Sequence, residues 1–178
     1  MERADFVIPE CYVDTNLVET LVCNGGCNHQ KGCNQVARIM QTRFADRFAV
    51  GVMDADKRRP GYLADFTELA SDTHLSLLRH RSKPHFVILV HPAADGFILS
   101  CAARTGVRMA DYGLADTLHE FTAQTKNVLS NKDSRFRKLF RDMVDEPEMS
   151  LMKSLLSHLV VKRYDITDRE LVELFARR

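Results

Sequence analysis

The chain has 178 residues, of which 45% are hydrophobic and 28% charged, and its formal net charge is +1. This composition is typical of a globular protein and excludes a disordered one. Because no apolar stretch approaches the roughly 18 to 20 residues of a membrane span, and the N-terminus lacks the apolar region of a signal peptide, we expect a cytoplasmic protein without membrane contact. Five cysteines in a reducing compartment argue against a disulfide framework.

Strands and helices alternate in the first part of the chain, according to the spacing of its apolar residues. The predicted elements are, in chain order, a strand at 6–9, helices at 12–22 and 33–46, a strand at 48–53, a short helix at 61–70, an edge strand at 75–79 and a central strand at 85–90. This order predicts an α/β fold with a mainly parallel sheet flanked by helices.

From about Asp111 onwards the pattern indicates helices alone. Apolar side chains recur at helical spacing around 114–121, 136–143, 149–160 and 171–175, and Thr167 to Glu170 has the sequence of a capping box. We therefore predict an α/β core over residues 1–110, followed by an all-helical region over residues 111–178.

Acidic residues follow two of the predicted strands. Asp54 and Asp56 come after the apolar run that ends at Met53, and alternate side chains of an extended chain point to the same side. Glu10 follows the first strand, and neighbouring parallel strands end at the same edge of a sheet. Three carboxylates at one point are suited to Mg²⁺ or Mn²⁺, although a solvated exit from the strand is the alternative.

The segments that contain these carboxylates resemble the Toprim domain, which occurs in topoisomerases, primases and OLD-type nucleases. The matching pieces are FVIPECYVD at 6–14, KGCNQV at 31–36 and VGVMDADK at 50–57. The later segment HFVILVHPAADGFIL, at 85–99, is similar to the strand and acidic helix of the OLD-like nucleases. By this resemblance, Glu10 is the metal-binding glutamate, and Asp54 and Asp56 are the Asp-x-Asp pair.

The sequence departs from the Toprim pattern at two positions. Cys11 follows Glu10, where the family usually has glycine, and the segment after the third strand offers only Asp95, where OLD-like nucleases have further glutamates. The second departure leaves open whether one or two metal ions bind and whether the site is active.

Basic residues near the carboxylates are candidates for binding a nucleic-acid backbone. Lys57, Arg58 and Arg59 follow the aspartates directly, and Lys31 lies in the loop before the second helix. Contacts of this kind supply the part of affinity that is independent of base sequence. A solvated charged loop explains the Lys57–Arg59 run equally well.

The loop before the second helix also contains a second candidate constellation. Cys23, Cys27, His29 and Cys33 are potential zinc ligands, but their spacing fits no established zinc-finger pattern. A loop that is merely rich in cysteine is one alternative. In the Toprim interpretation, His29 and Lys31 instead approach the carboxylates and contact a phosphate.

From the sequence, the leading hypothesis is a metal-dependent nuclease. DNA is the favoured substrate, and RNA is the less favoured one. The resemblance implies the effector of a prokaryotic anti-phage system that an ATPase partner controls, and it leaves a homo-oligomer open. The alternative is a non-catalytic Toprim-like module that binds or regulates a larger enzyme. Because the sequence has no Gly-rich phosphate-binding loop, we do not expect the chain itself to hydrolyse ATP.

Overall fold

A computed structural model describes residues 3–55 and 58–176, and within these ranges the chain forms five β-strands and seven α-helices. The strands are β1 (Val7–Pro9), β2 (Ala49–Asp54), β3 (Phe66–Ser71), β4 (Leu75–His80) and β5 (His85–Val90). The helices are α1 (Tyr12–Leu21), α2 (Cys33–Thr42), α3 (Ala94–Thr105), α4 (Leu118–Thr125), α5 (Ser134–Asp142), α6 (Pro147–Lys162) and α7 (Asp168–Ala176).

The strands form one sheet in the order β1-β2-β5-β4-β3. Strands β1, β2 and β5 are parallel, and the register pairs Val7 with Val50 and Asp54 with Val90. Strand β4 is antiparallel to both of its neighbours, so β3 runs in the same direction as β5. The predicted α/β fold with a mainly parallel sheet is confirmed.

The region between β2 and β5 differs from the prediction at two points. Instead of a helix over 61–70, a 3-10 helix at Gly61–Asp65 is followed by strand β3. The apolar spacing of Leu63, Phe66 and Leu69 mimics a helix, but hydrogen bonding to β4 takes precedence over this local pattern. Strand β4 was expected at the edge, yet it lies between β5 and β3, so that β3 and β1 are the two edge strands.

Helices cover both faces of the sheet. Alternate side chains of β2 and β5 enter two separate hydrophobic clusters, one beneath α1, α3 and the C-terminal helices and the other beneath α2. Gly51 lets α2 approach β2 closely, because a Cβ at this position would lie 3.1 Å from Cγ1 of Val36 and 3.2 Å from Sδ of Met40.

The C-terminal helices share a core with the sheet. Side chains from both sides of residue 110, such as Val52 and Leu155, belong to the same buried cluster. The division of the chain into regions 1–110 and 111–178 stays a prediction. Asn16 on α1 ties this region to the core, since its Nδ2 donates to the carbonyls of Ser130 (2.6 Å) and Asp133 (3.1 Å).

Two local features complete the fold. The predicted capping box is present before α7, because the Thr167 amide donates to Oε2 of Glu170 (3.1 Å) and the Glu170 amide donates to Oγ1 of Thr167 (3.3 Å). In the described part of the chain, no helix combines the length and the apolar character that crossing a bilayer requires.

Candidate active site

The carboxylate of Glu10 lies against the end of the neighbouring strand. The Glu10 amide donates to the Val52 carbonyl (3.0 Å), and the Asp54 amide donates in turn to Oε2 of Glu10 (3.0 Å). Glu10 is only 1% exposed. Parallel pairing of β1 with β2 therefore brings Glu10 to the backbone of Asp54, at the edge where the sequence predicted it.

The side chain of Asp54 is oriented by the start of α3. Its Oδ1 accepts a hydrogen bond from the Ala94 amide (2.9 Å), which is one of the first amides of that helix and has no partner within it. The N-terminus of a helix carries a partial positive charge and favours a carboxylate nearby. Hydrogen bonds therefore fix both the backbone amide and the side chain of Asp54.

Glu10 and Asp54 line a common pocket of about 230 Å³. The pocket combines acidic, basic and aromatic side chains from five parts of the chain. Its lining consists of Glu10, Cys11, Tyr12, His29, Lys31, Gly32, Asp54, Ala94, Asp95, Thr125 and Lys126. Anionic and cationic groups thus face one cavity at the carboxyl ends of the parallel strands, which is the edge where ligands bind in open α/β sheets.

One wall of the pocket is the loop that precedes α2. This loop runs beside β1, since the amides of Asn28 and Gln30 donate to the carbonyls of Val7 (2.9 Å) and Pro9 (3.0 Å). Gly32 then adopts a positive φ of 89°, which glycine tolerates, and α2 begins. The pairing with β1 accounts for the presence of His29 and Lys31 in the pocket wall, next to the carboxylates.

His29 is held by stacking of its ring on Tyr12 and by a hydrogen bond at Nδ1. The ring stacks on Tyr12, with 4.6 Å between centroids, and its Nδ1 lies 2.9 Å from the Thr15 hydroxyl. Burial is the main reason that the pKa of His29 is lowered. The ammonium of Lys31 lies 5.8 Å from the centre of the same Tyr12 ring, at cation–π distance.

Cys11 occupies the position at which Toprim domains usually have glycine. Its side chain caps α1, since the Asp14 amide donates to Sγ over 3.4 Å. Burial, together with the nearby Asp14 carboxylate, raises the pKa of the Cys11 thiol well above its usual range. The thiol is therefore protonated at neutral pH, and its role here is that of a helix cap.

The remaining predicted site residues lie elsewhere or outside the description. Asp56 and Lys57 fall outside the described residues, so the Asp-x-Asp pair is seen at Asp54 alone. Arg58 and Arg59 are exposed and do not line the pocket. Asp95 lies at the pocket, where its Oδ2 accepts a hydrogen bond from the Thr122 hydroxyl (2.7 Å).

The potential zinc ligands are separated by the sheet. Cys23 and Cys27 belong to the core beneath α1, whereas Cys33 belongs to the core beneath α2. His29 is bonded to Thr15. Burial, the main cause, raises the pKa of the Cys23 thiol to about 12. In this arrangement the four side chains do not converge on one ion.

A second group of potential ligands was not predicted. Among the residues that the structure describes, Cys101, Glu146 and Glu148 are the one trio whose ligand atoms all lie within 4.8 Å of one another. This trio could hold a metal ion, but Arg104 already forms ion pairs with both glutamates. The Glu146 carboxylate also caps α6 by accepting hydrogen bonds from the amides of Glu148 and Met149, each 2.9 Å long.

Sequence reasoning missed Lys126 and Thr125, which enter the pocket from the end of α4. Nothing in the local sequence distinguishes Lys126 from other surface lysines, because its position depends on how α4 docks against α3.

The chain was also compared with models of known families, with curated proteins and with solved structures, and none of the three comparisons found a match.

Proposed function

We propose that the pocket is the active site of a nuclease that depends on Mg²⁺ or Mn²⁺, as the resemblance to Toprim domains implies. The observation that carries the proposal is the contact between the Asp54 amide and the Glu10 carboxylate, which unites two acidic residues from the ends of adjacent parallel strands.

The donor set fits a hard divalent cation. Mg²⁺ is usually held by one or two carboxylates, with water and phosphate oxygens completing its shell. A carboxylate has about four acceptor sites, so an amide hydrogen bond to Glu10 or to Asp54 is compatible with metal binding by the same group. When bound, the metal would neutralise charge on the phosphodiester and lower the pKa of a water molecule.

The cationic side chains of the pocket account for substrate binding. Lys31 and Lys126 line the same cavity as Glu10 and Asp54, so a phosphate bound in the cavity meets positive charge as well as the carboxylates. Contacts of this kind position the backbone without reading the bases. The proposed substrate is therefore a nucleic-acid backbone, with DNA preferred over RNA as in the sequence-based hypothesis.

Cleavage assays test this proposal. Supercoiled plasmid, linear duplex, single-stranded DNA and RNA are incubated with the protein and Mg²⁺ or Mn²⁺, and Asp54→Asn is compared with the wild type. Asp46→Asn is the matched control, because Asp46 precedes β2 at the opposite end of the strand and its side chain is 93% exposed.

We expect metal-dependent cutting by the wild type and by Asp46→Asn, and loss of cutting in Asp54→Asn. Cutting that survives in Asp54→Asn would refute the proposed site. Control by an ATPase partner stays a prediction, so an inactive isolated chain is assayed again with proteins that co-purify with it. Inactivity in both settings would refute the nuclease.

The non-catalytic module remains the second candidate, and one observation favours it. Asp95, the one acidic residue that follows the third Toprim-like strand, accepts a hydrogen bond from Thr122 and thereby joins α3 to α4. This segment offers no further carboxylate for a second metal ion, whereas OLD-like nucleases have additional glutamates there. Absence of metal binding together with absence of cleavage would favour the module.

A further inference from the structure

The hydrogen bonds around His29 determine which ring nitrogen carries the proton. The Thr15 hydroxyl donates to the Cys11 carbonyl (2.7 Å), so its single proton is already used. The same hydroxyl oxygen lies 2.9 Å from Nδ1 of His29 and can only accept there. Nδ1 must therefore carry the proton, and in the neutral ring Nε2 has the lone pair.

The other ring nitrogen lacks a partner. Nε2 of His29 is buried, and no hydrogen-bond partner for it exists among the described residues. Leaving a buried polar atom unsatisfied costs about 1–3 kcal/mol, so such an atom in a residue that lines the pocket calls for an explanation. A ligand that brings a hydroxyl group or a water molecule into the pocket would supply the missing donor.

The surroundings of His29 keep the imidazole neutral. Burial is the largest influence and lowers the pKa, and the charge of Lys31 acts in the same direction, while the Cys11 carbonyl opposes them. A neutral ring with a free lone pair accepts protons, whereas it cannot donate a hydrogen bond from Nε2 to a phosphate. This chemistry differs from the phosphate contact that the sequence suggested.

Direct metal binding by His29 is not supported by the geometry. A histidine, Glu10 and Asp54 around one ion would form a trio with ligand atoms within 4.8 Å, and within residues 3–55 and 58–176 such a trio occurs only at Cys101, Glu146 and Glu148. His29 nevertheless lines the same pocket as both carboxylates. Its place is therefore beside the proposed metal ligands and not among them.

We infer that His29, held as the Nδ1–H tautomer by Thr15, is the proton acceptor of the site, an inference that rests on the proposed nuclease function. Nε2 takes a proton from the attacking water as the water oxygen bonds to phosphorus. The bond from phosphorus to the leaving oxygen breaks, and that oxygen keeps the electron pair and takes a proton from solvent. Thr15 acts through His29 and is a positioning residue.

The tautomer can be measured without substrate or metal. A long-range ¹H–¹⁵N correlation spectrum of the wild-type protein distinguishes a protonated from an unprotonated ring nitrogen. We expect His29 to be protonated at Nδ1 alone. Thr15→Val, which replaces the hydroxyl with a methyl group of similar size, should yield a mixture of tautomers, and Thr15→Ser should restore the wild-type spectrum. A His29 ring protonated at Nε2 would overturn the inference.

Cleavage kinetics provide the second readout. His29→Asn keeps a side-chain N–H for Thr15 but lacks Nε2, so we expect kcat to fall by about 10²-fold or more with little change in KM. Thr15→Val should lie between this variant and the wild type. Thr20→Val is the control and should match the wild type, because the Thr20 hydroxyl donates to Oδ1 of Asn16 on the same helix (3.2 Å) and Thr20 does not line the pocket.

The outcomes separate the two proposals. Cleavage at the wild-type rate in His29→Asn would overturn the role of His29 while leaving the nuclease intact. A rise in KM with unchanged kcat would overturn the proton acceptor in favour of a binding contact. No cleavage by the wild type under any condition would refute the proposed function and the role of His29 with it.

Discussion

The amide of Asp54 donates a hydrogen bond to the Glu10 carboxylate across the junction of β1 and β2, with 3.0 Å between N and Oε2. The bond joins the last residue of β2 to the residue that follows β1, and Glu10 is almost completely buried. The same carboxylate that is proposed to bind a metal thus also secures the end of a strand. The contribution of Glu10 to stability and its proposed role in metal binding can be separated by different substitutions at this position.

Substitutions of Glu10 test this separation. Glu10→Gln keeps an oxygen that can accept from the Asp54 amide, whereas Glu10→Ala removes the acceptor and leaves a cavity. We expect Glu10→Ala to lower the free energy of unfolding by about 1–3 kcal/mol more than Glu10→Gln does. Urea denaturation followed by circular dichroism measures the difference, and equal midpoints for the two variants would show that the hydrogen bond contributes nothing.

Removing one positive charge from the pocket should weaken nucleic-acid binding. Lys31→Gln and Lys126→Gln are each expected to reduce affinity for a DNA duplex and to reduce the slope of log K against log salt concentration by about one. Fluorescence anisotropy in Ca²⁺ measures binding without relying on cleavage. Lys153→Gln is the control, since Lys153 is exposed on α6 and does not line the pocket. An equal effect in the control would indicate non-specific attraction.

The group around Arg104 is expected to be structural. The Arg104 side chain is 39% exposed, whereas its partners Glu146 and Glu148 are 2% and 5% exposed. Arg104→Met removes the guanidinium that pairs with both buried carboxylates, while Glu148 keeps its contact with Nδ1 of His74 (2.7 Å). We expect a loss of about 1–3 kcal/mol, less than for a fully buried pair because water screens the guanidinium. Chelator treatment of the wild type should leave Tm unchanged. A chelator-induced fall in Tm, reversed by zinc, would instead establish a metal site here.

The stability contributed by Glu146 should depend on pH. Burial alone would raise the pKa of Glu146, but hydrogen bonds from Arg104, the Met149 amide and Cys101 outweigh it, and the pKa lies below the value of 4.5 for a free glutamate. The folded state therefore binds the Glu146 proton less readily than the unfolded state, so the stabilisation is complete above about pH 4.5 and is lost as the pH falls further.

Urea denaturation from pH 7 to pH 3 measures this dependence. We expect Glu146→Gln to be less stable than the wild type at neutral pH, with the difference narrowing below about pH 4.5. Asp116→Asn, on an exposed segment before α4, should follow the wild-type profile. A difference between Glu146→Gln and the wild type that stays constant with pH would contradict the assigned hydrogen bonds.

The sequence predicted the features that depend on local pattern and on strand direction. Parallel strands end at one edge, so the meeting of Glu10 with the end of β2 followed from two short apolar runs. Strand β3 was missed because Leu63, Phe66 and Leu69 have helical spacing, and pairing with β4 is not visible in a local window. Such pairing is decided by the tertiary structure.

Contacts that depend on how helices dock against the sheet could not be predicted. Lys126 enters the pocket from α4, and the Ala94 amide reaches Asp54 from a position 40 residues away. Arg104 meets Glu146 across 42 residues. Each contact depends on how helices dock against the sheet, which a single sequence does not encode in its periodicity.

The central claim, that Glu10 and Asp54 form the metal centre, is tested most directly by locating bound Mn²⁺. Mn²⁺ is paramagnetic and broadens the NMR signals of nearby amides in the isotope-labelled protein. We expect substoichiometric Mn²⁺ to broaden the amides of Cys11, Asp54 and Ala94 first, and Glu10→Gln to abolish the effect. Broadening centred on Glu146 and Glu148, or broadening at Cys11 that persists in Glu10→Gln, would contradict the account.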